Sequence, residues 1–109
     1  MKIRIKPLSV NKCWQGKRFK TVDYNAYEFN LTKMLPNEYT VPKGKLELTI
    51  KAGFSSPLAD VDNILKPFID ILQKKYNFND KDIFKITVEK ELVAKHREYV
   101  DWKLYEYED

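Results

Sequence analysis

The chain has one cysteine, one histidine and no long apolar run. A lone thiol, Cys13, can form no intrachain disulfide and no cysteine-rich zinc site; it reads as a buried or idle thiol in a reducing compartment rather than as a nucleophile. The single histidine, His96, falls near an expected turn and reads as structural or solvent-facing, not catalytic. No hydrophobic stretch approaches a bilayer span, and the start MKIRIKPLSV alternates charge with apolar residues where a signal peptide needs a continuous apolar segment. A soluble, cytoplasmic protein is expected, with no membrane partner. Internal repeats and low-complexity segments are also absent.

What remains is a chain of 109 residues, about one domain, with 33% charged and 14% aromatic side chains, a composition that folds. Twenty basic against sixteen acidic residues give a formal charge of +4. The excess is mild and permits a polyanion partner without requiring one. It is also uneven: Lys2, Arg4, Lys6, Lys12, Lys17, Arg18 and Lys20 crowd the first twenty residues, whereas 105–109 is acidic.

Residues 2–6 alternate strictly and predict a strand stopped by Pro7. Ser9 to Thr21, polar and basic with Gly16, predicts a loop. Asp23 is a cap candidate for a helix carrying Tyr24, Tyr27, Leu31, Met34 and Leu35 and ending before Pro36. Lys45 to Lys51 alternates as a second strand, ended near Gly53. Val61, Ile64, Leu65, Phe68, Ile69, Leu72 and Tyr76 recur at three and four, the stripe of an amphipathic helix. Asn77-Phe-Asn-Asp80 is turn chemistry, and 83–94 and 99–107 predict two long strands with Lys95-His-Arg97 near a hairpin turn. The fold class expected is α+β, an open α/β sandwich: a mixed sheet of about four strands with two helices packed on one face.

The segment LADVDNILKP (58–67) sets Asp60 and Asp62 at the head of the second helix. Helix capping is the plainest reading of such acids, each contributing on the order of 1 kcal/mol. Asp62 and Lys66, four apart, equally suit a surface ion pair. Pro67 argues otherwise, because it biases Lys66 away from helical backbone; regular helix is then expected from about Pro67, with 59–63 extended. In extended backbone Asp60 and Asp62 project to one side, whereas in an α-helix they diverge by roughly 200°. The extended form makes Asp60-x-Asp62 a hard-oxygen chelate of the kind Mg²⁺ prefers, completed by water and a substrate phosphate.

The longer constellation Asp60-Val-Asp62-Asn63-Ile-Leu-Lys66-Pro-Phe-Ile-Asp70, followed by Asn77-Phe-Asn-Asp80-Lys-Asp-Ile83, resembles the RusA-type Holliday junction resolvases. These are small endodeoxyribonucleases common in phages, with the signature D-x-D-N-x-x-K, a helix, and a turn holding a further Asp. The likeness is sharpest over 60–83 and extends loosely to the order of elements and to Pro-Leu-Ser-Val-Asn11. It implies Asp60, Asp62 and Asp80 as metal ligands for Mg²⁺, with Mn²⁺ a substitute, and Lys66 as the catalytic lysine. Asp70 falls at a position of helix structure, and Asp82 where other members need no acid. The implied substrate is a branched, four-way DNA junction, cut by paired symmetric nicks in a two-fold homodimer, with no small-molecule cofactor. Ala59 departs from the pattern, standing where the best-known member has a basic residue. The loop residues Asn11, Lys12, Lys17, Arg18 and Lys20, with Trp14 and Phe19 interleaved, are the compensating DNA-contact candidates. A non-catalytic branched-DNA-binding module of the same fold is the alternative. A phosphatase or glycosyltransferase reading of Asp-x-Asp fits less well, since the former wants Thr or Val at Ile64 and both need a longer chain.

Overall fold

The computed structural model describes residues 1–16 and 19–109. Two helices and six strands follow in chain order: β1 (Lys2–Ile3), β2 (Trp14–Gln15), β3 (Phe19–Lys20), α1 (Val22–Met34), β4 (Leu46–Phe54), α2 (Leu65–Tyr76), β5 (Ile83–Leu92) and β6 (Tyr99–Glu106). β1, β6, β4 and β5 form a mixed four-stranded sheet in that order, and β2 and β3 form a separate ribbon. This is the α+β class that the alternation and the helix stripes predict.

Alternation decides which sheet face is buried. Leu46, Leu48, Ile50 and Ala52 of β4 and Val100, Trp102 and Leu104 of β6 are buried, while the intervening Glu47, Thr49, Lys51, Asp101 and Lys103 face the other way. Both helices serve the apolar face. From α2 come Ile64 just before it and Phe68, Ile69, Ile71 and Leu72 within it; from α1 come Tyr24, Tyr27 and Leu31, with Leu35 at its end. Full burial of each such side chain stabilises by about 1.5–3 kcal/mol. Trp102 joins α2 to the sheet, its ring centroid 6.3 Å from that of Phe68 and 6.1 Å from that of Tyr76. Gly53 has a packing reason: a Cβ there would lie 2.5 Å from the Tyr99 ring.

Several boundaries differ from expectation, each for a local reason. β1 stops at Ile3, not at residue 6, because the Ile5 N–H turns back to the Ile3 carbonyl at 2.9 Å and leaves the ladder. Ser9–Thr21 is not plain loop: Ser9 caps a 3₁₀ turn over Val10–Lys12, and the β2–β3 ribbon follows. The cap of α1 is Thr21, whose hydroxyl accepts the Tyr24 N–H at 3.1 Å, and Asp23 sits in the first turn. The larger correction concerns 95–97. β5 and β6 do not form a hairpin: β5 runs parallel to β4, β6 runs antiparallel to it, and the connection passes across the end of β4 between them. β4, α2 and β5 are therefore a parallel crossover unit with α2 as the connection. Among the described residues, no helix is long and apolar enough to cross a membrane.

Candidate active site

The head of α2 is built in two steps. Asp60 is extended (φ −87°, ψ 122°), and Val61–Ile64 then winds as a 3₁₀ turn that runs into α2 at Leu65. The expected extended run over 59–63 thus ends at Asp60, and Lys66 is helical although it precedes proline. Pro67 is the third residue of α2, where its missing N–H is one that no intrahelical carbonyl would meet, so the ring costs the helix no hydrogen bond. A 3₁₀ turn has three residues per turn, so positions two apart point roughly 120° from each other and positions three apart eclipse. Asp60 consequently meets Asn63, whose side-chain amide donates to Asp60 Oδ2 at 3.4 Å. Asp62 is exposed on a different side of the turn.

Lys66 pairs not with Asp62 but with Asp70, Nζ to Oδ1 2.9 Å, one helical turn on. The Asp70 hydrogen bond and charge, helped by the charge of Asp80, push the Lys66 pKa above the usual lysine value. The ammonium therefore stays protonated. Asp80 is brought toward this pair by Gln73, whose Oε1 accepts the Asp80 N–H at 2.8 Å while its Nε2 donates to Asp70 Oδ1 at 3.5 Å. The left-handed Asn77 (φ 54°) ends α2, and Asn79 caps the 3₁₀ turn Asp80–Asp82. Asp82 lines a shallow groove with Lys43, Tyr76 and Phe78.

The structure thus couples Lys66, Asp70, Gln73 and Asp80 in one network and Asp60 with Asn63 in another. Among the described residues, no group of three or more His, Cys, Asp or Glu side chains gathers to hold a metal ion. The chemistry of the donors still suits a hard cation: Asp60, Asp62 and Asp80 are exposed carboxylates, and Mg²⁺ is often held by only one or two carboxylates with water and phosphate completing its shell.

Beside Asp60 opens a cleft of about 860 Å³, which Asn63, Asn11, Lys12, Arg4 and Tyr27 help to line. Asn11 and Lys12 are exposed there. Lys20 is engaged elsewhere, 2.9 Å from Glu28, which also takes Lys74 at 2.7 Å. Lys17 and Arg18 lie outside the described residues. Trp14 and Phe19 are 45% and 70% exposed on the ribbon, available for stacking.

Two contributors escape a reading of motifs. Lys90 of β5 donates to the carbonyls of Pro57 at 2.8 Å and Ala59 at 2.6 Å, and so clamps the segment that delivers Asp60. Its signal is a cation in the alternation Ile86, Val88, Lys90, Leu92, where an apolar side chain is expected. Gln73 gives no comparable signal. Cys13 is buried, its thiol pushed up by burial, and it donates to the Ser9 carbonyl, which makes it a poor nucleophile. His96 is exposed in the β5–β6 connection with φ 71°.

No protein-family model matches the chain, and no curated protein matches it.

Proposed function

We propose that the chain is a divalent-metal-dependent endodeoxyribonuclease of the RusA type, resolving four-way DNA junctions by paired symmetric nicks as a homodimer. The observation that carries the reading is the ridge at the head of α2. There Asp60 and Asp62 are exposed carboxylates just before a helix whose first turn carries a protonated Lys66, and the exposed Asp80 is near enough for its charge to act on that lysine. Gln73 ties the distant Asp80 back to the same helix.

Asp60, Asp62 and Asp80 are the proposed ligands of Mg²⁺ or Mn²⁺, and because the 3₁₀ turn directs Asp60 and Asp62 apart, their side chains would have to turn toward each other to share one ion. A bound divalent ion supplies phosphate neutralisation, a more acidic water and a stabilised leaving 3′ oxygen. The chain's own groups do the positioning. Asn63 orients the Asp60 carboxylate, and Lys66 offers its ammonium to the charge that builds on the phosphate. The Lys66–Asp70 pair is exposed on the lysine side, so it is weak and a phosphate can draw the ammonium away at little cost. Asn11 and Lys12 beside the cleft, with Lys17 and Arg18 of the following segment, supply contacts to flanking phosphates, and Lys20 could join them only by leaving Glu28.

A homodimer needs a self-complementary surface, and β5 supports one. It is the outer strand of the sheet, ten residues long, and among the described residues it has no neighbour on its far side. Ile86 and Leu92 share the apolar face with the core residues Leu48 and Phe54 that they pair with, yet are 43% and 59% exposed. A second copy laid against this strand would cover both the open edge and the strip. A cytoplasmic location follows from the DNA substrate and accords with a free Cys13.

The lack of a gathered three-acid group among the described residues favours one rival, a branched-DNA-binding module without catalysis. A synthetic mobile four-way junction separates the two. The nuclease gives symmetric nick pairs in Mg²⁺ and none in EDTA; the rival binds the junction and leaves it whole under either condition.

A further inference from the structure

We propose that the cleft beside Asp60 takes one unpaired nucleotide of a DNA strand, its base lying against α1 and its phosphate held by Arg4, Lys6 and Lys12. The inference deepens the nuclease reading and rests on it for the identity of the polymer. The cleft itself is large enough for a nucleotide: about 860 Å³ lies within the range of roughly 300–1,000 Å³ typical of sites for ligands of that size.

Its walls suit a base. Asp23, Ala26, Tyr27, Asn30 and Met34 line the cleft at spacings of three, one, three and four, which is one continuous face of α1. Ala26 is exposed in the middle of that face, so its short side chain leaves a shelf between longer neighbours. Met34 and Leu58, 44% and 88% exposed, add apolar surface for a ring to cover. The polar groups are those that read a base edge. The carboxamides of Asn30 and Asn63 offer a donor and an acceptor each, and the carboxylates of Asp23 and Asp60 accept from an exocyclic amino group or from the ring N3–H of thymine.

The cleft carries charge of both signs, and the placement of its cations favours a strand. Arg4, Lys6 and Lys12 line the same cleft, and among the described residues none of them is in an ion pair. Asp23, Asp60 and Glu98 line the cleft as well, and the Lys6 charge helps to hold the Glu98 carboxyl below the usual value, but the three cations all come from the one stretch 4–12, which gives a nucleotide phosphate a basic edge to meet. Tyr27 on the floor adds a hydroxyl that is buried without a partner among the described residues. A base extruded from a branch point would place the adjoining phosphate toward Asp60, the residue shared by the cleft and the proposed catalytic ridge.

The test follows the side-chain amide resonances of Asn30 and Asn63 by NMR while the protein is titrated with a four-residue oligothymidylate, with thymidine monophosphate, and with a short blunt duplex, all in EDTA. The oligothymidylate is expected to move both amides, the duplex neither, and the mononucleotide only at much higher concentration. Ala26→Trp, a substitution at an exposed helix position that fills the shelf, should weaken oligothymidylate binding by about tenfold or more. Amides that stay still under the oligothymidylate overturn the proposal without any variant. Equal responses to strand and mononucleotide overturn the claim that the occupant is a strand. Junction nicking in Mg²⁺, scored separately, keeps the two readings apart: nicking with unmoved amides removes the cleft alone, and moved amides without nicking remove the nuclease alone.

Discussion

At the scale of the residue, the site is a set of local choices imposed by backbone geometry. Lys66 reaches Asp70 because residues four apart share a helix face, whereas Asp62 belongs to the preceding 3₁₀ turn. Its expected role is in charge stabilisation, so Lys66→Met should slow junction nicking by about 10²-fold or more. The same substitution should leave the thermal midpoint nearly unchanged, since an ion pair with so exposed a lysine is worth about 0–1 kcal/mol. Lys90 is the opposite case. Its two bonds to the carbonyls of Pro57 and Ala59 hold the segment before Asp60, and Lys90→Met should cost on the order of 1–3 kcal/mol in urea denaturation. Nicking should fall further than junction binding, because the segment that it loosens carries the proposed ligand Asp60, whereas the proposed phosphate contacts lie on other segments. Of these residues, Asp60, Asp62 and Lys66 were legible in the sequence as a spaced motif. Gln73 was not, because its part depends on a turn returning Asp80 to the helix, and no local pattern encodes that contact.

At the scale of the element, periodicity identified both helices and the long strands, since each repeats apolar positions at its own period, although β5, unlike β4 and β6, leaves that face largely uncovered. It read faces and not neighbours. Ile83–Leu92 and Tyr99–Glu106 are strands as their composition implies, yet a short connection between them suggested a hairpin, and β4 lies between them instead. Only the competition for the apolar surface of β4 decides that order. The effect of Pro67 was likewise undetermined locally, because it depends on which position of the first helical turn the ring occupies. The two helices are joined at the surface by Glu28 of α1, which accepts from Lys74 of α2 at 2.7 Å and from Lys20 at 2.9 Å. The Lys74 hydrogen bond is the largest effect on Glu28, and with the Lys20 hydrogen bond and the charges of both lysines it holds the pKa below the ordinary carboxylate value against burial, the second-largest effect. A depressed carboxylate stabilises the fold fully above its unfolded pKa and loses that contribution as pH falls through the folded value. Acid unfolding of Glu28→Gln should therefore show a shallower loss of stability below the usual carboxylate pKa than the parent, with the difference read from urea midpoints across that range.

At the scale of the whole molecule, the helices cover the sheet unevenly. β4 and β6 are buried on one face, while β5 keeps Ile86 and Leu92 exposed beside an unpaired edge. An uncovered apolar edge strand is an aggregation hazard unless something pairs with it. If a second copy does so, Ile86→Lys with Leu92→Glu should convert the dimer to monomer in sedimentation equilibrium and turn paired nicks into single, unmatched ones. A parent that sediments as a monomer at concentrations where it resolves junctions would refute this surface. The sheet order that leaves β5 outermost was not legible in the sequence, and with it the proposed dimer surface could not be read there.

The account rests on the acidic ridge at the head of α2 cutting DNA. The most direct measurement is single-turnover nicking of a labelled four-way junction by the parent and by Asp62→Asn, in Mg²⁺, with binding of the same junction measured in EDTA. The account predicts symmetric nicks by the parent, none by Asp62→Asn, and equal binding by both. Equal nicking rates for the two proteins, or a parent that binds the junction and never cuts it, would contradict it.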